Sequence, residues 1–176
     1  DNTTKSNKIE EDVLHKLTLF NEIHEIVINI YNNLNKDKYL LIRRSLKLIY
    51  DNKFRCHAGI YSCCSANKFV LEAAMERAKE TDTYLLVEAT ANQVNQYGGY
   101  TGMQPADFFS YVSNLAQQHL LPENKLIFGG DHLGPLTFSH LSEEEAMLNA
   151  QELVRSYVLA GFSKIHLDTS MKLSCD

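Results

Sequence analysis

Four short apolar runs alternate with amphipathic stretches in this chain of 176 residues, and this alternation limits the fold more than any other feature. The runs are Ala58 to Ser62, Tyr84 to Ala89, Lys125 to Gly129 and Lys164 to Leu167. The spacing of apolar residues between them predicts helices over Lys68 to Glu80, Pro105 to His119 and Glu143 to Ala160. Strands that alternate with helices form parallel sheets through right-handed crossovers, so the expected fold class is α/β.

The ends of these helices carry recognisable signals. Pro105 suits the first position of a helix, and Ser142 with Glu145 forms a capping box. Gly161 is suited to end the last helix.

Two parallel architectures fit the alternation: a doubly wound sheet and a (β/α)8 TIM barrel. No G-x-G-x-x-G motif follows the first strand, and acidic residues follow several strands, so the barrel is favoured. A whole barrel takes about 250 residues and eight strands. We therefore expect residues 46–176 to form the N-terminal half of a barrel, whose open edges need the other half or a partner, and we expect an oligomer.

Residues 1–45 are expected to form a helical extension. Apolar residues recur at helical spacing from Val13 to Ile30, and a second helical pattern runs from Leu40 to Ile49. The chain has no starting methionine, so it is expected to be a fragment or a processed protein.

Composition excludes several classes of function. The net charge of −5 argues against a general nucleic-acid binder, and no run of 18 apolar residues could span a membrane. The four cysteines show no paired C-x-x-C spacing, which favours a reducing, cytoplasmic location.

Polar residues cluster where the predicted strands end, and parallel strands place these ends at one mouth. The residues are Ser62, Glu88, Asp131, His132 and Asp168. In Gly129-Gly130-Asp131-His132-Leu133-Gly134-Pro135, the aspartate could transfer a proton and the histidine could bind a divalent metal. The alternative is that each acid caps a helix or pairs with an arginine. His166 lies two residues before Asp168, so we expect it on the same side of its strand, as a hydrogen-bonded core histidine.

The segment from Glu88 to Gly102 is rich in amides, hydroxyls and glycines. Such groups suit a polyhydroxylated ligand, and glycine N–H groups can bind a phosphate. The candidate binding residues are Glu88, Asn92, Gln93, Asn95, Gly98 and Gly99. A flexible surface loop explains the composition equally well.

Two other enzyme classes fit less well. A thiol hydrolase could pair Cys63 or Cys64 with His132, but adjacent cysteines after a strand are more often packing residues. A kinase with the phosphate-gripping loop G-x-x-x-x-G-K-[ST] is not indicated, because the motif is absent.

From about Leu46 to Met171 the chain resembles the non-catalytic subunit family of D-tagatose-1,6-bisphosphate aldolase, some members of which are labelled tagatose-6-phosphate kinases. The resemblance rests on residues 57–65, the loop 88–102, the motif 129–135, and residues 160–171. It implies a cytoplasmic accessory subunit that stabilises a catalytic class II aldolase in the breakdown of galactitol or N-acetylgalactosamine, with a sugar phosphate as ligand.

More distantly, the same blocks resemble the first half of the zinc-dependent class II aldolases, which are barrels. That resemblance implies that Asp131 transfers a proton, His132 binds zinc, and Asp168 lies beside the metal. The aldolases supply two further histidines from later strands, and His119 and His140 are poorly placed to replace them, so we expect an incomplete zinc site. The open alternatives are an active metal-dependent aldolase or epimerase of ketose phosphates or sugar acids, and a sugar-phosphate sensor.

Overall fold

The structure is a computed structural model that describes residues 60–168, together with Glu25, Ser170 and Leu173. The predicted extension over residues 1–45, with its two helical patterns from Val13 to Ile30 and from Leu40 to Ile49, lies outside the described residues apart from Glu25.

The described chain is a four-stranded parallel sheet with three long helices in the connections. The strands are β1 (Tyr61–Cys64), β2 (Leu85–Thr90), β3 (Leu126–Leu133) and β4 (Lys164–Leu167). The helices are α1 (Lys68–Glu80), α2 (Pro105–Gln118) and α3 (Glu143–Ala160). The strands lie side by side in chain order, β1-β2-β3-β4, so the α/β expectation is confirmed.

All three helices contribute to one hydrophobic core against one face of the sheet. Strand residues in register, such as Cys63, Val87 and Phe128, belong to this core. They pack with helix residues that include Met75 of α1 and Phe108 of α2. Side chains alternate along a strand, so the intervening residues point to the opposite face, where the polar residues described below lie.

The helix ends follow the sequence signals. The Ser142 side chain accepts a hydrogen bond from the Glu145 N–H while the Glu145 side chain binds back to Ser142, so the capping box is confirmed. Pro105 is the first residue of α2, and Gly161 ends α3 at φ 108°, a left-handed conformation that favours glycine. The second helix ends at Gln118, one residue before the predicted His119.

Several strand boundaries differ from the predicted ones; the second strand is Leu85–Thr90 instead of Tyr84 to Ala89. Ile60 precedes the first strand, which extends to Cys64 instead of ending at Ser62, because residues up to Cys64 pair with β2. The third strand continues to Leu133 instead of ending at Gly129, because its last residues pair with β4. The motif that begins at Gly129 is therefore largely within the strand. In the part of the chain that the structure describes, no helix is both long and apolar enough to cross a membrane.

Candidate functional site

An irregularity at the end of β3 brings two consecutive side chains to one place. Gly130 pairs with Ile165 and Leu133 pairs with Leu167, so Asp131 and His132 together oppose the single residue His166. This is the two-against-one pattern of a β-bulge. His132 has φ 50°, which is uncommon for a residue with a side chain. The bulge lets Asp131 and His132, which would face opposite sides of a regular strand, approach the same neighbour.

The Asp131 carboxylate is the centre of this cluster. Its Oδ1 atom accepts a hydrogen bond from Nδ1 of His166 at 2.7 Å, and its Oδ2 atom accepts one from Nδ1 of His132 at 2.9 Å. Nζ of Lys164 lies 3.5 Å from Oδ1. Partial burial opposes ionisation, but the two histidines and the lysine outweigh it and lower the pKa of Asp131 to about 2.

His166 differs from its expected place in the core. Its side chain is exposed, it binds Asp131, and its ring centroid lies 5.0 Å from that of His132. The expectation of a hydrogen bond was right, but the expectation of a core position was wrong. The described core helices do not cover this face of the sheet. Alternation along the strand predicts which face His166 lies on, but it does not predict whether that face is buried.

A second polar group joins the cluster from β2. Glu88 is buried, with 6% of its surface exposed, and forms an ion pair with Lys164. The Ser62 hydroxyl donates a hydrogen bond to the same carboxylate. Polar side chains from all four strands are therefore linked: Ser62 of β1, Glu88 of β2, Asp131 of β3, and Lys164 and His166 of β4.

Asp168 follows β4 and has its own contacts. Its Oδ1 atom accepts hydrogen bonds from the N–H and hydroxyl of Ser170, and these bonds lower the pKa of the Asp168 carboxyl. Its backbone N–H donates to the Leu133 carbonyl at 2.9 Å. Among the described residues, Asp168 is not part of the compact group that Asp131 forms with the two histidines.

The donor set of that group suits a metal ion. One possible ligand atom from each of Asp131, His132 and His166 lies within 4.8 Å of the others. Two imidazoles and a carboxylate are typical ligands of zinc and of other divalent transition metals. The residues present therefore fit the metal that the sequence resemblance implies.

The amide-rich loop uses several of its predicted binding groups internally. Asn95 is buried; its amide donates to the Ala91 carbonyl and accepts from the N–H groups of Tyr97 and Gly99. The Gln93 side chain accepts from the Thr90 N–H at 2.8 Å. These contacts hold the loop in shape.

The other candidate residues of this loop differ in what they leave exposed. The Gly98 N–H donates to the Asn95 carbonyl, so this group is already engaged. Gly99 has φ 56°, and an added Cβ there would lie 2.4 Å from the Gln93 carbonyl oxygen, so only glycine fits. Asn92 has an exposed side chain.

A surface cavity of about 430 Å³ lies beside this loop. Asn95, Tyr97 and Gly99 line one part of it, and the segment after β3 supplies Thr137 and His140. The structure thus brings two of the predicted binding residues, Asn95 and Gly99, to one concave surface.

The two cysteines of β1 do not have the properties of a nucleophile. Both are free thiols, and burial raises the pKa of each. The nearby carboxylates of Asp131 and Glu88 raise the pKa of Cys64 further, and its thiol donates to Gln93. A reactive cysteine needs a lowered pKa, so the arrangement does not favour a thiol hydrolase.

Sequence reasoning did not include Lys164 among the candidate site residues, and it placed His166 in the core instead of in the site. The signal was present in Lys164-Ile165-His166-Leu167-Asp168, where every second residue is ionisable. Such alternation marks one polar face of a strand. His119, by contrast, pairs with Glu72 and Glu76 of α1, apart from the strand ends.

Comparison with known proteins agrees with this arrangement of elements. Residues 46–176 match the family described as D-tagatose-1,6-bisphosphate aldolase subunit GatZ/KbaZ-like. A solved structure from Sinorhizobium meliloti 1021, described as a probable tagatose 6 phosphate kinase, is 50% identical with a TM-score of 0.65. The match covers 67% of this chain and 30% of that chain, so this chain spans less than a third of its relative's length. The match over residues 46–176 shows that the chain belongs to the GatZ/KbaZ-like family of D-tagatose-1,6-bisphosphate aldolase subunits.

Proposed function

We propose that this chain is part of a non-catalytic subunit of D-tagatose-1,6-bisphosphate aldolase, which supports the stability and activity of a catalytic class II aldolase subunit. The observation that carries the proposal is the family match over residues 46–176, since the family is one of aldolase subunits. The proposed setting is cytoplasmic catabolism of galactitol or N-acetylgalactosamine. Free thiols at Cys63 and Cys64 agree with a reducing compartment.

The sheet supports a place in a larger assembly. Doubly wound sheets have helices on both faces. Within residues 60–168, the strands follow chain order and the three connecting helices share one core on one face of the sheet. We infer that residues 46–176 form one half of a TIM barrel wall. Within residues 60–168, β1 and β4 each pair on one side only. Unpaired strand edges favour association with further chain or with a partner subunit.

The polar cluster supports a role that differs from aldol cleavage. The class II aldolases that the chain resembles bind zinc through three histidines. Here the compact group is two histidines and an aspartate, with Lys164 beside the aspartate. A site with this different donor set supports an accessory role, in which the site binds a sugar phosphate or holds the subunit in shape.

The ligand we propose is a sugar phosphate. The Asn92 side chain is exposed on the amide-rich loop, and the adjacent cavity carries amide, hydroxyl and imidazole groups from Asn95, Thr137 and His140. These groups can donate and accept hydrogen bonds, as sugar hydroxyls require. The absence of the G-x-x-x-x-G-K-[ST] motif gives no support to a kinase of that type.

The test is the lifetime of the catalytic subunit. A class II tagatose-bisphosphate aldolase is incubated at 37 °C with and without this chain, and aldol cleavage is followed over time. We expect the half-life of the aldolase to be several-fold longer in the mixture. An equal mass of serum albumin should leave the half-life unchanged. Equal half-lives with and without the chain would refute the accessory role.

An active metal-dependent aldolase or epimerase on ketose phosphates or sugar acids is the second candidate. His132 and His166 of the cluster could hold a divalent metal, which would supply polarisation of a carbonyl group of the substrate. The Asp131 carboxylate would move the proton. Metal-dependent cleavage of a ketose phosphate by the chain alone, lost in D131N and H132A, would establish this candidate; inactivity of the metal-loaded chain would exclude it.

A further inference from the structure

We propose that this chain binds a divalent transition metal through the imidazoles of His132 and His166 and the carboxylate of Asp131. Two neighbouring strands of one sheet then supply the whole donor set. The resemblance to class II aldolases implies that zinc is bound by His132 together with histidines from later strands. It gives His166 no role. The inference concerns metal binding alone and does not depend on the accessory function.

The backbone favours this assignment. A bulge places Asp131 and His132 opposite His166, and His132 is held at φ 50°. A residue with a side chain is strained in this region and persists there where the surrounding structure enforces it. Bulges are frequent beside active sites, where they redirect a side chain. Here the redirection brings the His132 ring to 5.0 Å from the His166 ring, centroid to centroid.

The hydrogen bonds prepare the imidazoles for a metal. Nδ1 of His132 and Nδ1 of His166 lie 2.9 and 2.7 Å from the two oxygens of the Asp131 carboxylate, so possible ligand atoms of all three residues are close together before an ion binds. An ion bound at both Nδ1 atoms takes the place of their protons, which the neutral imidazoles then carry on Nε2. Both side chains are exposed, so an ion can reach them from solvent.

The charge around the cluster also favours a cation. The carboxylates of Glu88 and Asp131 bring two negative charges, and Lys164 brings one positive charge that lies between them. With neutral imidazoles, the net charge of the group is −1. Lys164 forms its ion pair with Glu88, so its positive charge does not fully neutralise the negative charge of Asp131. Imidazole ligands suit zinc, copper, iron and nickel, and carboxylate ligands suit manganese.

The experiment is a titration of the 176-residue chain with Zn²⁺ by calorimetry and with Co²⁺ by visible absorption, which reports the coordination geometry of the ion. We expect one saturable site in the wild type. H166Q and H132Q should each weaken binding by tenfold or more, and D131N should weaken it as well. H140Q removes an exposed histidine outside the cluster and should bind as tightly as the wild type.

Thermal unfolding of each variant, with and without Zn²⁺, separates lost binding from lost folding. A metal that binds the folded chain raises its Tm, so Zn²⁺ should stabilise the wild type and H140Q but leave the Tm of H166Q unchanged. If H166Q does not fold, H166N provides the same comparison. Wild-type affinity in H166Q, or no saturable Zn²⁺ site in the folded wild type, would overturn the proposal.

Discussion

Glu88 of β2 and Lys164 of β4 form an ion pair across the intervening strand β3. They meet above Gly129, where an added Cβ would lie 2.8 Å from Glu88 Oε1 and 3.1 Å from Lys164 Cδ. The pair therefore depends on a glycine in the strand between its members. It also connects the buried part of the sheet to Asp131, which lies 3.5 Å from the same lysine.

Loss of the Glu88 charge should destabilise the fold. In E88Q the Lys164 ammonium would lose its buried partner, and we expect the free energy of unfolding to fall by about 1–3 kcal/mol, less than for a fully buried pair because Lys164 is partly exposed. Urea unfolding measures the change. E152Q, which removes the exposed pair between Glu152 and Arg155, is the control and should cost less than about 0.5 kcal/mol. Equal costs for the two variants would contradict the structural role of the Glu88 pair.

A side chain at Gly129 should interfere with the same pair. We expect G129A to lower the free energy of unfolding by about 1–3 kcal/mol, as overpacking does in other cores. The cost should shrink in the E88A background, because the two nearest atoms that the new methyl group meets, both of Glu88, are then absent. A double-mutant cycle from urea unfolding gives the comparison. A G129A cost that is the same in both backgrounds would show that Glu88 is not the obstacle.

The contact between α1 and His119 should depend on pH. Hydrogen bonds with Glu76 and Glu72 raise the pKa of His119 above 6.5, and the hydrogen bonds of Glu76 with His119 and Lys79 lower the pKa of Glu76 below 4.5. The raised histidine pKa gives stability that is present below 6.5 and is lost as the pH rises through the folded value. The lowered glutamate pKa gives stability that is lost on acidification.

The wild type should therefore exceed H119Q in free energy of unfolding most clearly between about pH 5 and pH 6.5. The difference should decline toward pH 8.5. Urea unfolding of both proteins across this range measures it. A difference that stays constant from pH 5.5 to pH 8.5 would show that the charged form of His119 contributes nothing.

The capping box of α3 should have a measurable effect on stability. S142A removes the side-chain acceptor for the Glu145 N–H and should lower the free energy of unfolding by about 1 kcal/mol. S142T keeps a hydroxyl and should lose less. Thermal or urea unfolding of the two variants provides the measurement, and equal losses would mean that the hydroxyl is not the cap.

The features that sequence predicted best are local ones. The bounds of α1 and α3 follow from apolar spacing and from signals such as Ser142 and Gly161, which act within a few residues of each other. The end of β3 could not be obtained in this way. Two consecutive glycines normally indicate the end of a strand, but here Gly130 makes room for Tyr157 of α3 while the strand continues.

The part of the site that is local in sequence was also predictable. Asp131 and His132 are adjacent in sequence, and their position near a strand end was evident. Their partner His166 depends on the bulge and on the register between β3 and β4, which only pairing determines. The internal use of Asn95 likewise depends on the folded path of its loop.

The most direct test of the site is anomalous X-ray diffraction at the zinc edge from crystals of the chain grown with Zn²⁺. We predict one strong peak about 2.0–2.1 Å from an imidazole nitrogen of both His132 and His166 and in contact with an oxygen of the Asp131 carboxylate. A map with no peak at these two histidines, or with the zinc bound only elsewhere, such as at His119 and Glu72, would contradict it.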